Sequence, residues 1–257
     1  MSVFTKHRKC NNYLGNVVPI GWHVPTYSEM YYILNTRSNA SNLRTLGRID
    51  INGNGTYLNG FFLLPDDWLL PAGISMTITL SNFTDNTYSL EDFGKLEENG
   101  VVFLKNSGFR SSSNYSYDGT IRFSLSNQVD STRRRILNIF NGISYFSVSK
   151  SLGLMVRLCR QSFQPHTFST SATSAVEFSN GNVQYHCNKK EWRFAEHQYD
   201  FIGADNANIA ENYDGWIDLF GFGTSGVIFS PTLHTTVNSD YASVDLLGTP
   251  NDWGVNF

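Results

Sequence analysis

Polar and apolar residues change their period several times along this chain, and each change marks an element. In PTYSEMYYILNTR, Met30, Ile33, Leu34 and Arg37 recur at helical spacing. Thr26 and Glu29 stand at capping-box spacing with Pro25 just before the cap, so a helix is expected to begin there. A second helix is expected over SLEDFGKLEENG. Ser89 is its cap, acidic residues fill the first turn, Leu90, Phe93 and Leu96 form an apolar stripe, and Gly100 stops it. Gly94 weakens this helix by about 1 kcal/mol relative to alanine.

Most of the remaining chain predicts short strands and long loops. GFFLLP, GVVFLKNSG, GTIRFSLSN, RRRILNIF and GLMVRLCR are β-prone runs bounded by Gly, Asn or Ser. AVEFSNGNVQYHCNKKEWRFA has the pattern of a hairpin, with alternation on both sides of an Asn180-Gly181 turn. GADNANIAENYDGW is expected to be an ordered loop. The polar stretch RQSFQPHTFSTSATS, residues 160–174, is the best linker candidate. Two helices among mostly antiparallel strands give an α+β fold class.

Composition narrows the function classes. The chain has 257 residues, 40% of them hydrophobic, which is enough for a real core. Only 16% are charged, and Ser, Asn, Thr, Gly and Tyr take the place of charge, as in exported β-rich proteins with neutral polar surfaces. A net charge of -3 gives no drive toward a phosphate backbone or an anionic membrane. The one basic run, Arg133-Arg134-Arg135, is expected on a solvated strand edge. No apolar run is long enough for a membrane span. The N-terminal MSVFTKHRKCNNYLGN lacks the apolar stretch of a signal peptide. A mature chain, another export route and use without classical export all stay open. The three cysteines, Cys10, Cys159 and Cys187, form no C-x-x-C spacing, so no zinc or redox motif and no disulfide framework is expected.

LLPDDWLLPAG sets two carboxylates and a tryptophan between prolines. Adjacent residues on an extended chain point to opposite sides, so Asp66 and Asp67 do not form a catalytic pair. A structural buckle is expected, with an Asp closing a turn over a buried Trp68. Asp205, Asn206, Asn208, Glu211, Asn212 and Asp214 offer oxygen ligands on a loop, which suits calcium, but the EF-hand order is missing and Asx turns serve equally. The six histidines form no metal-binding spacing. There is no nucleophile elbow and no P-loop, and GFGTSG is followed by no lysine. Cys187 follows His186, but neighbours in a strand face apart. No cofactor is expected, calcium being the one candidate. NSGFRSSSNYSYDGT, residues 106–120, is different: Tyr, Ser, Gly and Asn dominate, as in binding loops, and equally in an ordinary solvent-facing loop.

Four stretches, GWHVPTYSEMYYILNTRSNASNL, NGFFLLPDDWLLPAG, YSLEDFGKLEENGVVFLKNSGFR and GLMVRLCR, together resemble the Fibrobacter succinogenes major paralogous domain and its Bacteroidota relatives. These are related to the C-type-lectin-like fold of formylglycine-generating enzymes. FSTSATSAVEFSNGNVQYHCNKKEWRFAEHQYDFIGADNANI, YDGWIDLFGFGTSG and NDWGVN resemble another part of the same proteins. The resemblance implies one C-type-lectin-like domain over residues 1–257, with twisted antiparallel sheets, two helices and long ordered loops. It would be built from blocks at about 13–160 and 168–256. The family's block order is reversed here, as in a circular permutation, so Trp253–Asn256 is expected near Asn11–Trp22. Otherwise the halves complement between neighbouring chains.

The resemblance also implies a surface or secreted protein, some lectin-like relatives being receptor-binding proteins of phages and bacteria. It places the ligand-facing region on Phe109 to Asn127, although relatives carry Trp-Ser-Ser where this chain has Arg122-Phe123-Ser124. The cysteine pair of the formylglycine-generating enzymes has no counterpart, so their oxidase activity is not expected.

The leading expectation is a non-enzymatic ligand-binding or adhesion domain on a cell surface or virion, for a glycan or protein ligand and not for nucleic acid. Its ligand-facing patch would be Arg110, Tyr115, Tyr117 and Arg122. The alternative is an assembly module, a filament or virion subunit, and a homo-oligomer fits either. An enzyme acting on glycans with calcium is a third reading.

Overall fold

The protein's structure, a computed structural model, is described over residues 21–222, leaving aside 112–113, 187, 190 and 209–212. Helix α1 spans Tyr27–Tyr31 and runs on as a π-helical turn over Tyr32–Thr36. Its start is set locally. Thr26 Oγ1 accepts the Glu29 N–H at 3.1 Å and Glu29 Oε2 accepts the Thr26 N–H at 2.8 Å, so two orphan donors are satisfied reciprocally. Met30, Ile33 and Leu34 are buried, and so is Arg37, which ends the same stripe. The Arg37 guanidinium donates to the carbonyls of Ile33, Leu43 and Leu64 and to Asp66.

Helix α2 spans Leu90–Glu98, with Ser89 Oγ accepting the Asp92 N–H at 3.1 Å. Gly100, at φ +83, follows the cap in the left-handed region that favours glycine. Phe93 and Leu96 are buried, whereas Leu90, expected in that stripe, is exposed. Steps of three residues drift by about 60° each, so Leu90 lies about 120° around the helix from Leu96.

The strands come in chain order. β1 (Arg44–Asp50), β2 (Tyr57–Leu63), β3 (Thr87–Ser89) and β4 (Val102–Lys105) form a sheet in the order β3-β1-β2-β4. Its side chains alternate between two cores, as a period of two requires. Phe61, Leu63, Val102 and Leu104 join Met30 and Ile33 on one face, while Phe62 and Phe103 join Phe93 and Leu96 on the other. β5 (Phe109–Ser111) and β6 (Asn114–Ser116) pair as a two-stranded ribbon. β7 (Ile121–Gln128), β8 (Arg133–Ile139), β9 (Ile143–Ser149) and β10 (Leu154–Met155) follow. β11 (Cys159–Gln161), β12 (Phe168–Ser169) and β13 (Ala175–Phe178) form a third sheet. β14 (Val183–His186), β15 (Glu191–Phe194) and β16 (Trp216–Ile217) form a fourth. Finally β17 (Leu219–Phe220) returns to the edge of the largest sheet, whose order is β17-β10-β7-β8-β9.

Over the described residues the fold is therefore α+β, with two short helices among mostly antiparallel strands. Strands from both sequence blocks share sheets: β10 pairs with β17, and β11 with β13. Of the ends expected to meet, Trp253–Asn256 and Asn11–Trp22, residues 253–256 and 11–20 lie outside the described residues.

Three expectations are corrected. Residues 160–174 are not a linker: β11 and β12 lie within or across this stretch and are both paired to β13. The Asn180-Gly181 pair turns no hairpin, because neither residue has the positive φ that a type I′ turn demands of both. Instead the chain runs on past residues 156–161, with Ser179 N–H on Leu158 O at 2.8 Å and Val183 N–H on Val156 O at 2.9 Å. Gly181 sits at the irregularity between them, where a Cβ would strike the Ala195 backbone. The hairpin is β14–β15, one element later. Lastly, the arginine run is not on an edge, since β8 lies between β7 and β9. Arg134 is wholly buried, donating to Ser124 Oγ at 2.7 Å and to the carbonyls of Leu152 and Phe220.

Gly47 and Gly60 face each other across β1 and β2. The Phe62 and Phe103 rings, 4.8 Å apart, lie where their Cβ atoms would be. Gly60→Ala would place a carbon closer than 3.0 Å to the buried Phe103 ring. We expect it to cost about 1–3 kcal/mol of stability, read from a urea midpoint, whereas Gly94→Ala, with open space around it, stabilises by up to about 1 kcal/mol.

Candidate ligand-binding surface

The β5–β6 ribbon is held from beneath. Arg110 exchanges both backbone hydrogen bonds with Gly153, at 2.9 and 2.7 Å. Its side chain is wholly buried and donates to the Leu219 carbonyl at 2.9 Å. Gly108, at φ +70, precedes the ribbon, and a Cβ there would collide with the Ser116 carbonyl and crowd the Tyr115 ring. β6 runs beside the 3₁₀ turn at Gly203–Ala207. That turn is pinned by Asp218: Oδ2 accepts the Ile202 N–H at 3.0 Å, and Oδ1 accepts from Asn206 at 2.8 Å. Asn206 returns the bond by accepting the N–H groups of Asp218 and Leu219 at 2.9 and 3.0 Å.

Two ionisable groups lie in this floor. Lys105 is buried, donates to the Asn106 carbonyl at 2.7 Å, and holds its ammonium 3.2 Å from the centre of the Phe201 ring. Burial pushes its pKa down to about 7, against the opposing pull of Asp218. Asp218 is wholly buried, and that burial raises its pKa, with Asn206, the Ile202 N–H and Lys105 working the other way.

The four residues expected to face a ligand are thus sorted by depth. Arg110 is not on the surface at all, because the five-stranded sheet claims its guanidinium. Tyr115 is half-buried and packs against the main core. Burial raises its hydroxyl pKa, with Asp218 adding to the shift. Tyr117 is 52% exposed. Arg122 is partly exposed, and its fork is committed to Asp118 at 2.8 and 2.6 Å while its plane lies 4.7 Å from the Phe109 ring. That fork holds the Asp118 carboxyl below its ordinary range. What these residues offer together is a fixed surface of one exposed phenol, a stacked cation–aromatic pair and a carboxylate.

The aspartate doublet is structural, though not through opposed directions: Asp66 and Asp67 sit in a turn and both bind residues 166–169. Asp66 takes the Arg37 guanidinium at 2.7 Å on one oxygen, and the Ser169 N–H and hydroxyl on the other. Asp67 takes the His166 N–H at 3.1 Å and its ring at 3.3 Å. Together they fasten residues 166–169 to the α1 side of the fold. The Trp68 N–H closes a turn on the Pro65 carbonyl at 3.3 Å, but the indole is half-buried rather than enclosed. In the calcium candidate, Asn206 spends its amide on Asp218 and is wholly buried, while Glu211 and Asn212 lie outside the described residues, as do Cys10 and Cys187. Among the described residues, His23, Glu29 and Cys159 are the one group of His, Cys, Asp and Glu side chains close enough to share a metal ion.

No protein-family model, curated protein or solved structure matches this chain. Among the described residues, no helix is long and apolar enough to cross a membrane.

Proposed function

We propose that this chain is a non-enzymatic recognition domain of C-type-lectin-like type, carried on a cell surface or virion, whose ligand surface is the β5–β6 ribbon with the start of β7. The observation that carries this reading is Tyr117. Its large amphipathic ring stands exposed immediately after β6, beside a ribbon anchored from beneath by the buried Arg110 and by the packing of Tyr115 against the main core. Such a surface binds without paying to order itself. The Arg122–Asp118 fork beside Phe109 supplies an aromatic face and polar edges, the chemistry that suits a sugar ring or a protein loop. The family resemblance of the two sequence blocks points the same way.

A second reading has its own observation. β9 ends the five-stranded sheet, carries neither charge nor proline, and exposes Phe146. Edges of this kind pair with other chains unless covered, which suits a subunit that assembles with its own copies.

One comparison separates these readings. The full chain is applied to an immobilised glycan panel and to whole bacterial and animal cells, and its association state is followed by sedimentation over a concentration series. Tyr117→Ala is expected to weaken binding about tenfold or more, the 1.4 kcal/mol scale of an interface anchor, with the melting temperature unmoved. Tyr115→Ala lowers the melting temperature instead. Binding that ignores Tyr117→Ala removes the ribbon from the ligand surface. A chain that binds no panel member or cell and self-associates with concentration is the assembly module.

A further inference from the structure

His23, Glu29 and Cys159 are brought together by three different elements. His23 and Cys159 are cross-strand neighbours that exchange both backbone bonds, at 2.8 and 2.9 Å. Glu29 comes from the first turn of α1. Its Oε2 is held by the Thr26 N–H, which leaves Oε1 directed at His23 Nε2, 2.9 Å away. Cys159 Sγ lies 3.3 Å from the same nitrogen, and the three ligand atoms all fall within 4.8 Å of one another.

That shared nitrogen is the difficulty that needs explaining. An imidazole nitrogen has one in-plane orbital, holding either a proton or a lone pair. If Nε2 carries the proton, it donates to Glu29 and cannot accept from the thiol. If it does not, it faces the Glu29 carboxylate with lone pair against lone pair. In either tautomer at most one of the two contacts is a full hydrogen bond, the sulfur being only a weak shared acceptor when Nε2 carries the proton. A cysteine–histidine–carboxylate relay is also ruled out, because a relay uses both ring nitrogens, one for each partner.

We propose that His23 Nε2, Glu29 Oε1 and Cys159 Sγ bind a zinc ion, leaving a fourth coordination position open toward solvent. A cation placed among the three atoms accepts the histidine lone pair, the carboxylate and the thiolate at once. Zn–N near 2.0–2.1 Å and Zn–S near 2.3 Å at a tetrahedral angle separate N and S by roughly 3.5 Å, close to the spacing present here. The donor set selects the metal. Nitrogen, sulfur and a single carboxylate oxygen suit zinc, and they suit neither calcium nor magnesium, which take oxygen.

Glu29 is oriented in advance by the capping box, and the strand bridge sets the backbones of His23 and Cys159 directly opposite one another. Glu29 and His23 keep about a fifth of their side-chain surface in solvent, 20% and 21%, which gives the ion a way in. Without a cation, burial and the Glu29 charge raise the Cys159 thiol well above its ordinary range. Binding expels that proton to solvent, and the Glu29 and Cys159 charges together neutralise the ion.

The test uses the full chain, stripped with a chelator and titrated with Co²⁺, whose thiolate charge-transfer band and visible tetrahedral bands report the ligand set. We expect a single equivalent with both signatures, displaced by Zn²⁺, and unchanged in Cys10→Ser and Cys187→Ser. Cys159→Ser removes the charge-transfer band. His23→Gln and Glu29→Gln, which keep the local bonding shape, weaken cobalt binding tenfold or more. Absence of the band in the unmodified chain, or its survival in Cys159→Ser, overturns the proposal. If Cys159→Ser does not fold by circular dichroism, unchanged cobalt affinity in His23→Gln overturns it instead. The glycan and cell measurements are independent of this site.

Discussion

Arg157→Ala is expected to lower the unfolding free energy by about 3–5 kcal/mol, a fifth or more of the roughly 5–15 kcal/mol that a domain of ordinary stability holds. Arg157 is wholly buried, and its two terminal nitrogens donate to Ser179 O at 2.7 Å and Phe103 O at 2.9 Å. Those carbonyls belong to the two sequence blocks, so one side chain joins β4 to the chain that follows β13. The outer edge of β4 has no strand against it among the described residues. Gln198 accepts the Phe103 N–H at 2.7 Å and donates to Val101 O at 2.8 Å, and Arg157 serves the remaining carbonyl. Alanine would orphan two buried acceptors at about 1–3 kcal/mol each and leave a cavity beneath them. Burial pushes the Arg157 pKa down to about 9, opposed by Glu97, so part of the loss is returned when the buried charge is removed. Denaturant unfolding with an unchanged slope measures the difference. A loss below about 1 kcal/mol would mean that water reaches both carbonyls and that the blocks are not joined here.

What could be read in the sequence was what the chain decides within a few residues. Thr26 with Glu29, and Ser89 with Asp92, are caps whose partners sit three positions away, and both helices begin where these residues put them. The turn at Asp66-Asp67 was legible from the proline before it, but the opposed directions of an extended chain were not found, since both carboxylates bind residues 166–169. Their partners were not legible, because His166 and Ser169 lie about a hundred positions on. Asn180-Gly181 failed for a related reason. The dipeptide permits a hairpin turn, but the pairing of residues 175–183 with 156–161 decided the backbone there, and glycine was needed for its closeness to Ala195.

The candidate surface was misread for a deeper reason. Arg110, Arg134, Arg157 and Lys105 are buried cations whose hydrogen bonds go mainly to backbone carbonyls. A carbonyl belongs to every residue, so it leaves no complementary letter in the sequence to look for. An arginine in a Tyr/Ser loop is ordinarily a ligand-facing residue, and Arg110 broke that rule because Leu219, far along the chain, supplied its acceptor. The zinc candidate was hidden the same way. His23, Glu29 and Cys159 match no spacing motif, because a strand bridge across 136 positions closes the site. Tyr117 lies just past the end of β6 and is exposed, in the Tyr/Ser/Asn-rich stretch whose composition marks it.

The second large effect concerns Lys105, and it appears only when stability is followed against pH. The folded chain gives up the Lys105 proton near pH 7, whereas an unfolded lysine holds it to about 10.5. Between these values unfolding takes up a proton, so the folded state gains as the pH rises. Below about pH 7 the cost of burying the cation is present in full. Asp218, whose charge acts on Lys105, has its folded pKa raised by burial, so its own contribution runs the other way, falling as the pH climbs from 3.8. Lys105→Met keeps the length of the stem over Phe201 and removes the proton. Each tenfold difference in proton affinity between the folded and unfolded lysine is worth about 1.4 kcal/mol. The unmodified chain should therefore gain about 3–5 kcal/mol relative to Lys105→Met between pH 7 and 10.5. Urea midpoints at half-unit steps on both proteins, repeated in an Asp218→Asn background to remove the one carboxylate coupled to Lys105, measure this directly. A difference that stays flat through that range would give Lys105 the pKa of a solvated lysine, and the floor beneath the β5–β6 ribbon would then have to be open to water.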